Sequence, residues 1–301
     1  MATFAEWVEG ARPRTLPLSV SPVIAGSAVA LAAGDFRVWR ALLALIVGVV
    51  MQIGVNLSND YSDGVRGTDA HRVGPQRLVG SGAATPSAVK RAAFACFGIG
   101  CLAGLGLVIM TGWWWLVAVG AAIVAGAWFY TGGRHPYGYR GLGEVSVFIF
   151  FGVVATAGTA LVQTGRPAAV TIAGIALASL AQGAGACAVL VANNLRDIPT
   201  DEAAGKRTLS VRLGDHRSRV LYVWLAAISV AASVAVAVVA TRGFGLLCLA
   251  MLVPLTPAVA IVTRGKTGLT LVRALKLVGI AQLVGAVGLF AGAVLSATLA
   301  G

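Results

Sequence analysis

Residues 41–64 read ALLALIVGVVMQIGVNLSNDYSDG. An apolar run of bilayer length closes here on acids and amides. At 100° per helical residue, Asn56, Asn59, Asp60 and Asp63 fall at about 0°, −60°, 40° and −20°. All four share an arc of roughly 100° on one helix face. Two carboxylates and two amide oxygens so placed form a hard-oxygen site suited to Mg²⁺ or Ca²⁺. An EF-hand is excluded, because Tyr61 occupies a ligand position and no Glu stands at the twelfth.

Residues 193–201, NNLRDIPTD, echo this pattern after a second apolar run. Asn193, Asp197 and Asp201 are spaced i, i+4, i+8, near one helical face. Pro199 disfavours helix at Ile198, so Asp201 is expected in a loop. The two stretches read as halves of one polynuclear metal site.

The rest of the chain is built to hold such ends in lipid. Its 301 residues are 58% hydrophobic and 11% charged, with a mean hydropathy of +0.86. No soluble domain of this length needs so much apolar surface, so the chain is an all-α, polytopic membrane protein forming a single domain over 1–301. The start carries Glu6, Glu9, Arg12 and Arg14 and no apolar core, and is not expected to be a cleaved signal peptide. Nine spans are expected near residues 16–34, 40–59, 90–111, 113–131, 144–164, 169–193, 218–240, 244–263 and 277–299. Cys96, Cys101, Cys187 and Cys248 all fall inside apolar runs without ligand spacing, as expected for buried packing. Gly100/Gly104 and Gly288/Gly292 allow close helix approach.

Charge decides the orientation. With nine spans, 19 of the 23 Lys and Arg residues fall on the N-terminal side and in the loops that share it. The positive-inside rule makes that side cytoplasmic and the C-terminus external. Membrane topology therefore accounts for the formal charge of +12, and no nucleic-acid partner is implied. Both acid-bearing span ends fall on the cytoplasmic side, where ionisable groups at membrane depth mark function.

The acids share their loops with cations. Arg66, Arg72 and Arg77 follow the first motif; Arg196, Lys206, Arg207 and Arg212 lie in and after the second. Carboxylates bind Mg²⁺, Mg²⁺ binds phosphate oxygens, and Arg or Lys holds the remaining oxygens. That suits a diphosphate at the membrane surface, with an isoprenoid tail in the apolar bundle beneath. Arg134 is a further phosphate candidate, and Tyr130 can stabilise a cation through its ring; an interfacial Tyr/Arg belt explains both equally well. Arg12 and Arg14 are either substrate contacts or positive-inside residues. A secondary transporter is the alternative class, but its acids belong near mid-membrane rather than at span ends.

Asn59 through Asp63 and Asn193-x-x-x-Asp197-x-x-x-Asp201 resemble the two signatures of the UbiA superfamily of intramembrane prenyltransferases. The stretches 11–17 (ARPRTLP), 59–69 (NDYSDGVRGTD), 191–201 (VANNLRDIPTD), Lys206-x-Thr208-Leu209 and Leu213-Gly214 resemble the branch that prenylates 1,4-dihydroxy-2-naphthoate on the way to menaquinone. The superfamily's last first-motif acid falls at Gly67 here, with Asp69 two residues on. The resemblance implies a bundle of nine transmembrane helices around a central cavity, capped by cytoplasmic loops, in the cell membrane. It implies two Mg²⁺ ions held through Asn59, Asp60, Asp63, Asn193, Asp197 and Asp201, a polyprenyl diphosphate donor and a dihydroxynaphthoate acceptor. The catalytic set expected is Asp60, Asp63, Asp197, Asp201, Tyr130 and Lys206. Arg12, Arg14, Arg66, Arg72, Arg77, Arg134, Arg196, Lys206 and Asn56 are expected to hold substrate. A UbiA-type enzyme with another acceptor remains the alternative within the class.

Overall fold

The computed structural model describes residues 2–67 and 77–299. Among them the chain is helical, with no strand. The helices are α1 (Phe4–Ala11), α2 (Pro17–Ala32), α3 (Val38–Arg66), α4 (Pro86–Thr111), α5 (Leu116–Phe129), α6 (Gly143–Val147), α7 (Gly158–Thr164), α8 (Ala169–Ala203), α9 (Leu209–Thr241), α10 (Leu252–Thr263) and α11 (Leu269–Leu299). A π-helical segment, Phe148–Ala157, joins α6 to α7, and a 3₁₀ segment, Phe244–Met251, leads into α10.

Every expected span coincides with one of these helices or joined segments, but their lengths differ. Seven helices among the described residues are long and apolar enough to cross a bilayer. The stretches Phe4–Thr15 and Pro17–Ala32, bent by 47°, make an eighth when taken as one. Helix α5 has only 14 residues, about 21 Å at 1.5 Å per residue, and falls short of a ~30 Å hydrocarbon core on its own.

Two long helices organise the bundle because each continues past its apolar run. α3 extends to Arg66 and is stopped by Gly67 in the left-handed region, φ 72°, a conformation glycine adopts without a Cβ clash. α8 runs 35 residues to Ala203 and passes straight through Pro199. This corrects the loop expected at Asp201. A proline already has a helical φ and removes one backbone N–H, a cost a helix tolerates near its end. Asp201 therefore stays on the helix that carries Asn193 and Asp197.

α8 is also the core. Ala186, Ala188, Val189, Val191, Ala192 and Leu195 pack with Tyr222 and Ala226 of α9 and with Leu271, Ala274 and Val278 of α11. Small side chains let these axes approach, which is how membrane helices gain van der Waals contact without a hydrophobic drive. Gly288 and Gly292 show the limit: an added Cβ would meet Leu247 and Gly245 backbone at 2.6 and 2.4 Å. The expected close approach is made there, against the 3₁₀ segment. Cysteines depart from the expected burial on α4, where Cys96 is only half-buried. Cys187 and Cys248 are buried, whereas Cys101 is exposed on α4.

Candidate active site

A cavity of about 720 Å³ opens between the ends of α3 and α8 and runs down into the bundle. On α3 its lining extends from Asp63 and Asn59 through Asn56, Gln52 and Met51 to Gly48, Val47 and Ala44. That is about 28 Å of helix at 1.5 Å per residue, close to the thickness of a hydrocarbon core. On α8 the lining holds Asn193, Asn194, Asp197, Thr200 and Asp201. The far end is closed by Val23, Ala44, Leu107 and Val162, packed with Leu116. The chamber is polar at one end and hydrocarbon for most of its length.

The two motif helices thus meet at one chamber, as their spacing led us to expect, with one exception. Asn56, Asn59 and Asp63 line the cavity; Asp60 does not. The Asp60 carboxylate accepts the backbone N–H groups of Leu78 (2.7 Å) and Val79 (2.9 Å). Asp60 sits at the edge of the shared arc, about 100° from Asn59, and turns to the returning chain. Asp60 thereby fastens the returning chain at Leu78 and Val79 onto α3. Replacing Asp60 with Ala strands two N–H groups beneath the loop, at about 1–3 kcal/mol each. The expected result is a lower melting temperature in detergent, with more activity retained than in an Asp63 variant.

Asp63 is the most heavily contacted acid. It accepts from Arg77 Nη2 at 3.2 Å, from Lys206 Nζ at 3.4 Å and from the Tyr139 hydroxyl. Lys206 also lies 4.6 Å from the Tyr139 ring centroid. Asn59 accepts the Thr131 hydroxyl at 2.7 Å. On α8, Arg196 grips Asp197 through Nε and Nη2, each at 2.6 Å, and donates to Asn193 Oδ1 at 2.9 Å. The loops close the frame: Arg207 N–H donates to Tyr139 O at 2.8 Å, and Arg212 to Arg140 O at 2.8 Å.

The expected cations divide. Arg12, Arg77 and Lys206 line the chamber. Arg14 instead pairs with Glu9. Arg66 donates to the carbonyls of Thr131 and Gly133, just past the end of α5, and lies 5.5 Å from the Tyr139 ring. Arg134 is exposed. Arg196 serves Asp197 and Asn193 and is not part of the lining. For Arg14, Arg66 and Arg196 the physical reason is shared: free helix-end carbonyls and neighbouring carboxylates hold the guanidinium locally. Arg72 and Asp69 lie outside the described residues. Asn56 faces the chamber while its Nδ2 donates to Ala11 O (3.0 Å) and Thr15 Oγ1 (3.1 Å), tying α1 and the following turn to α3.

Tyr130 lines the chamber, its ring 5.5 Å from Tyr137 in an edge-on pair. Its electron-rich ring face can meet a cation. Tyr139, Thr131, Asn194 and Glu144 were not picked out by the sequence. Tyr139 and Thr131 belong to no spacing pattern, and only the fold brings them to α3.

Mg²⁺ fits the donor set. Every polar ligand candidate at the mouth is a hard oxygen: Asn59, Asp63, Asn193, Asp197 and Asp201. Among the described residues no three carboxylate, His or Cys side chains converge into a self-contained site. Mg²⁺ ordinarily binds through one or two carboxylates and completes its shell with water and substrate phosphates.

A lipid-embedded chamber with an acid-and-cation mouth and a long hydrocarbon barrel defines a class: a membrane protein that handles an amphiphile with an anionic head. Sequence comparison narrows the class. The UbiA prenyltransferase family model matches residues 19–269, and the chain belongs to that family. It is 57% identical over 229 residues to a Mycobacterium tuberculosis protein named 1,4-dihydroxy-2-naphthoate octaprenyltransferase, covering 76% of this chain and 77% of that one. A protein of the same name from Mycobacterium leprae is 54% identical over 222 residues, 74% of each. The Escherichia coli K12 protein of that name is 42% identical over 219 residues, 71% of this chain and 70% of that one. The fold matches a UbiA homologue from Aeropyrum pernix K1 with a TM-score of 0.70 at 16% identity, over 92% of this chain and 97% of that one. It also matches an Archaeoglobus fulgidus UbiA homologue bound to GPP and Mg²⁺, with a TM-score of 0.63 at 14% identity, over 95% and 99%. Family membership makes the chain a prenyl-transferring enzyme and removes the transporter alternative.

Proposed function

We propose that this chain transfers a polyprenyl group from polyprenyl diphosphate to 1,4-dihydroxy-2-naphthoate, releasing diphosphate and CO₂ and giving demethylmenaquinol, the hydroquinone form of demethylmenaquinone. The observation that carries this is the joining of two acid-bearing helix ends, α3 and α8, over one chamber whose remaining length is hydrocarbon. The names of the mycobacterial and E. coli relatives support the acceptor.

In this reading Asn59 and Asp63 on one side, and Asn193, Asp197 and Asp201 on the other, hold two Mg²⁺ ions. Bound Mg²⁺ supplies Lewis-acid neutralisation of the charge that develops on the departing diphosphate. Arg77 and Lys206, already at Asp63, and Arg12 on the same wall turn to the diphosphate oxygens. The prenyl tail lies along Met51, Val47 and Ala44. Breaking the C1–O bond leaves an allylic cation beside the rings of Tyr130 and Tyr139, whose π faces favour positive charge. Phe150, Phe151, Val154 and Leu190 line the chamber and keep water from quenching that cation. The acceptor carbon bearing the carboxylate forms the new bond to C1. The carboxylate then leaves as CO₂, and its bonding pair restores the aromatic ring.

In this reading the chain lies in the cell membrane with nine crossings, α5 being the short ninth. The mouth and N-terminus face the cytoplasm, since 19 of 23 basic residues then lie on that side. The test is diphosphate release by purified protein from polyprenyl diphosphate, with and without dihydroxynaphthoate and with and without Mg²⁺. Release is expected only with both present. Turnover of 4-hydroxybenzoate in its place, with dihydroxynaphthoate inert, would overturn the acceptor assignment.

A further inference from the structure

A further acid touches the chamber lining through Asn194 and has no part in the chemistry above. Glu144, at the start of α6, is 8% exposed. Its Oε1 accepts the Asn194 side-chain Nδ2 at 3.0 Å, and its Oε2 is buried with no partner. Cys187 Sγ donates to the Glu144 carbonyl at 3.1 Å and pins the same turn to α8. Asn194 lines the chamber, with Ser146 and Tyr130 nearby on the lining. It sits one residue beyond Asn193, at the edge of the arc that carries Asn193 and Asp197, about 100° and 60° from them.

An asparagine amide has a donating end and an accepting end. Glu144 takes one N–H of the donating end, which holds Nδ2 toward the carboxylate and leaves Oδ1 as the acceptor that Asn194 offers to the chamber. Such an oxygen rejects an anion and accepts a hydroxyl hydrogen. We propose that Asn194 binds the 4-hydroxyl of the acceptor, the ring hydroxyl remote from its carboxylate, and that Glu144 is the positioning residue that sets the amide the right way round. The inference rests on the acceptor being a hydroxylated naphthoate. It separates the two substrates: the diphosphate is held by the acids and cations of the mouth, and the acceptor's hydroxyl by the Glu144–Asn194 pair.

The test compares wild type, Glu144→Ala and Glu144→Gln as full-length purified protein. Each is assayed with 1,4-dihydroxy-2-naphthoate and with 1-hydroxy-2-naphthoate, which lacks one hydroxyl. A site built around a hydroxyl rejects the analogue lacking it. Glu144→Ala should raise KM for dihydroxynaphthoate about tenfold, leave KM for the donor within about twofold, and erase the preference for the dihydroxy acceptor. Glu144→Gln should stay near wild type, because its Oε1 still accepts from Asn194. An unchanged preference in Glu144→Ala, or a change confined to donor KM or Mg²⁺ requirement, overturns the proposal. If Glu144→Ala does not yield folded protein, Asn194→Ser carries the same test: it should lose the preference, and keeping it overturns the proposal. Wild type failing to use dihydroxynaphthoate at all would instead overturn the functional reading.

Discussion

Asp63→Asn and Asp197→Asn are each expected to lower turnover by a factor of at least about 10²–10³, the scale on which removing a preorganised electrostatic contact to the transition state acts. The effect follows from position. Each acid lines the chamber one turn after an amide that also lines it, Asn59 before Asp63 and Asn193 before Asp197. Asparagine keeps the shape and removes the charge. Asp63 also balances Arg77 and Lys206, with side chains only 5% and 9% exposed for the Asp63–Arg77 pair. Removing one partner of a buried pair costs about 3–5 kcal/mol. Melting temperature in detergent must therefore be read beside diphosphate release. Loss of release in a variant that still unfolds cooperatively supports the assignment. Near-normal release in either variant rejects it.

The second large effect concerns donor length. Gly104 of α4 lines the chamber, and a Cβ added there would meet nothing within 4 Å. Gly104→Phe should therefore be accommodated by the fold while filling the barrel that the tail occupies. Forcing a chain past an added ring costs about 1–3 kcal/mol, so turnover of a long polyprenyl diphosphate should fall about tenfold or more. Geranyl diphosphate, which ends short of this level, should react nearly as before. Competition between the two donors in one reaction gives the ratio directly. Equal losses for both donors would show that the tail does not run along α4.

Much of this arrangement was legible in the chain. The apolar runs located every helix that crosses the bundle, because a lipid-facing segment must be both apolar and self-bonded. Helical periodicity put Asn59 with Asp63 and Asn193 with Asp197, since residues three to four apart share a face wherever the helix lies. Periodicity also overreached. It grouped Asp60 with the other acids, although an arc of about 100° is wide enough to straddle a cavity wall and a packed loop. The Leu78 and Val79 N–H groups claimed that carboxylate. Pro199 misled in the opposite sense, because a proline rule describes a preference that the packing of α8 overrides.

The chain by itself determined a helical membrane protein with two hard-oxygen helix ends and a basic face beside them. Those properties are local: they depend on a residue and its neighbours along one helix. Only the tertiary structure decided which arginines reach the chamber, that Tyr139 and Thr131 serve Asp63 and Asn59, and that Glu144 turns the amide of Asn194. Those contacts join residues 50 to 76 positions apart. No periodicity along one helix specifies which carbonyl or carboxylate another helix will present to a side chain.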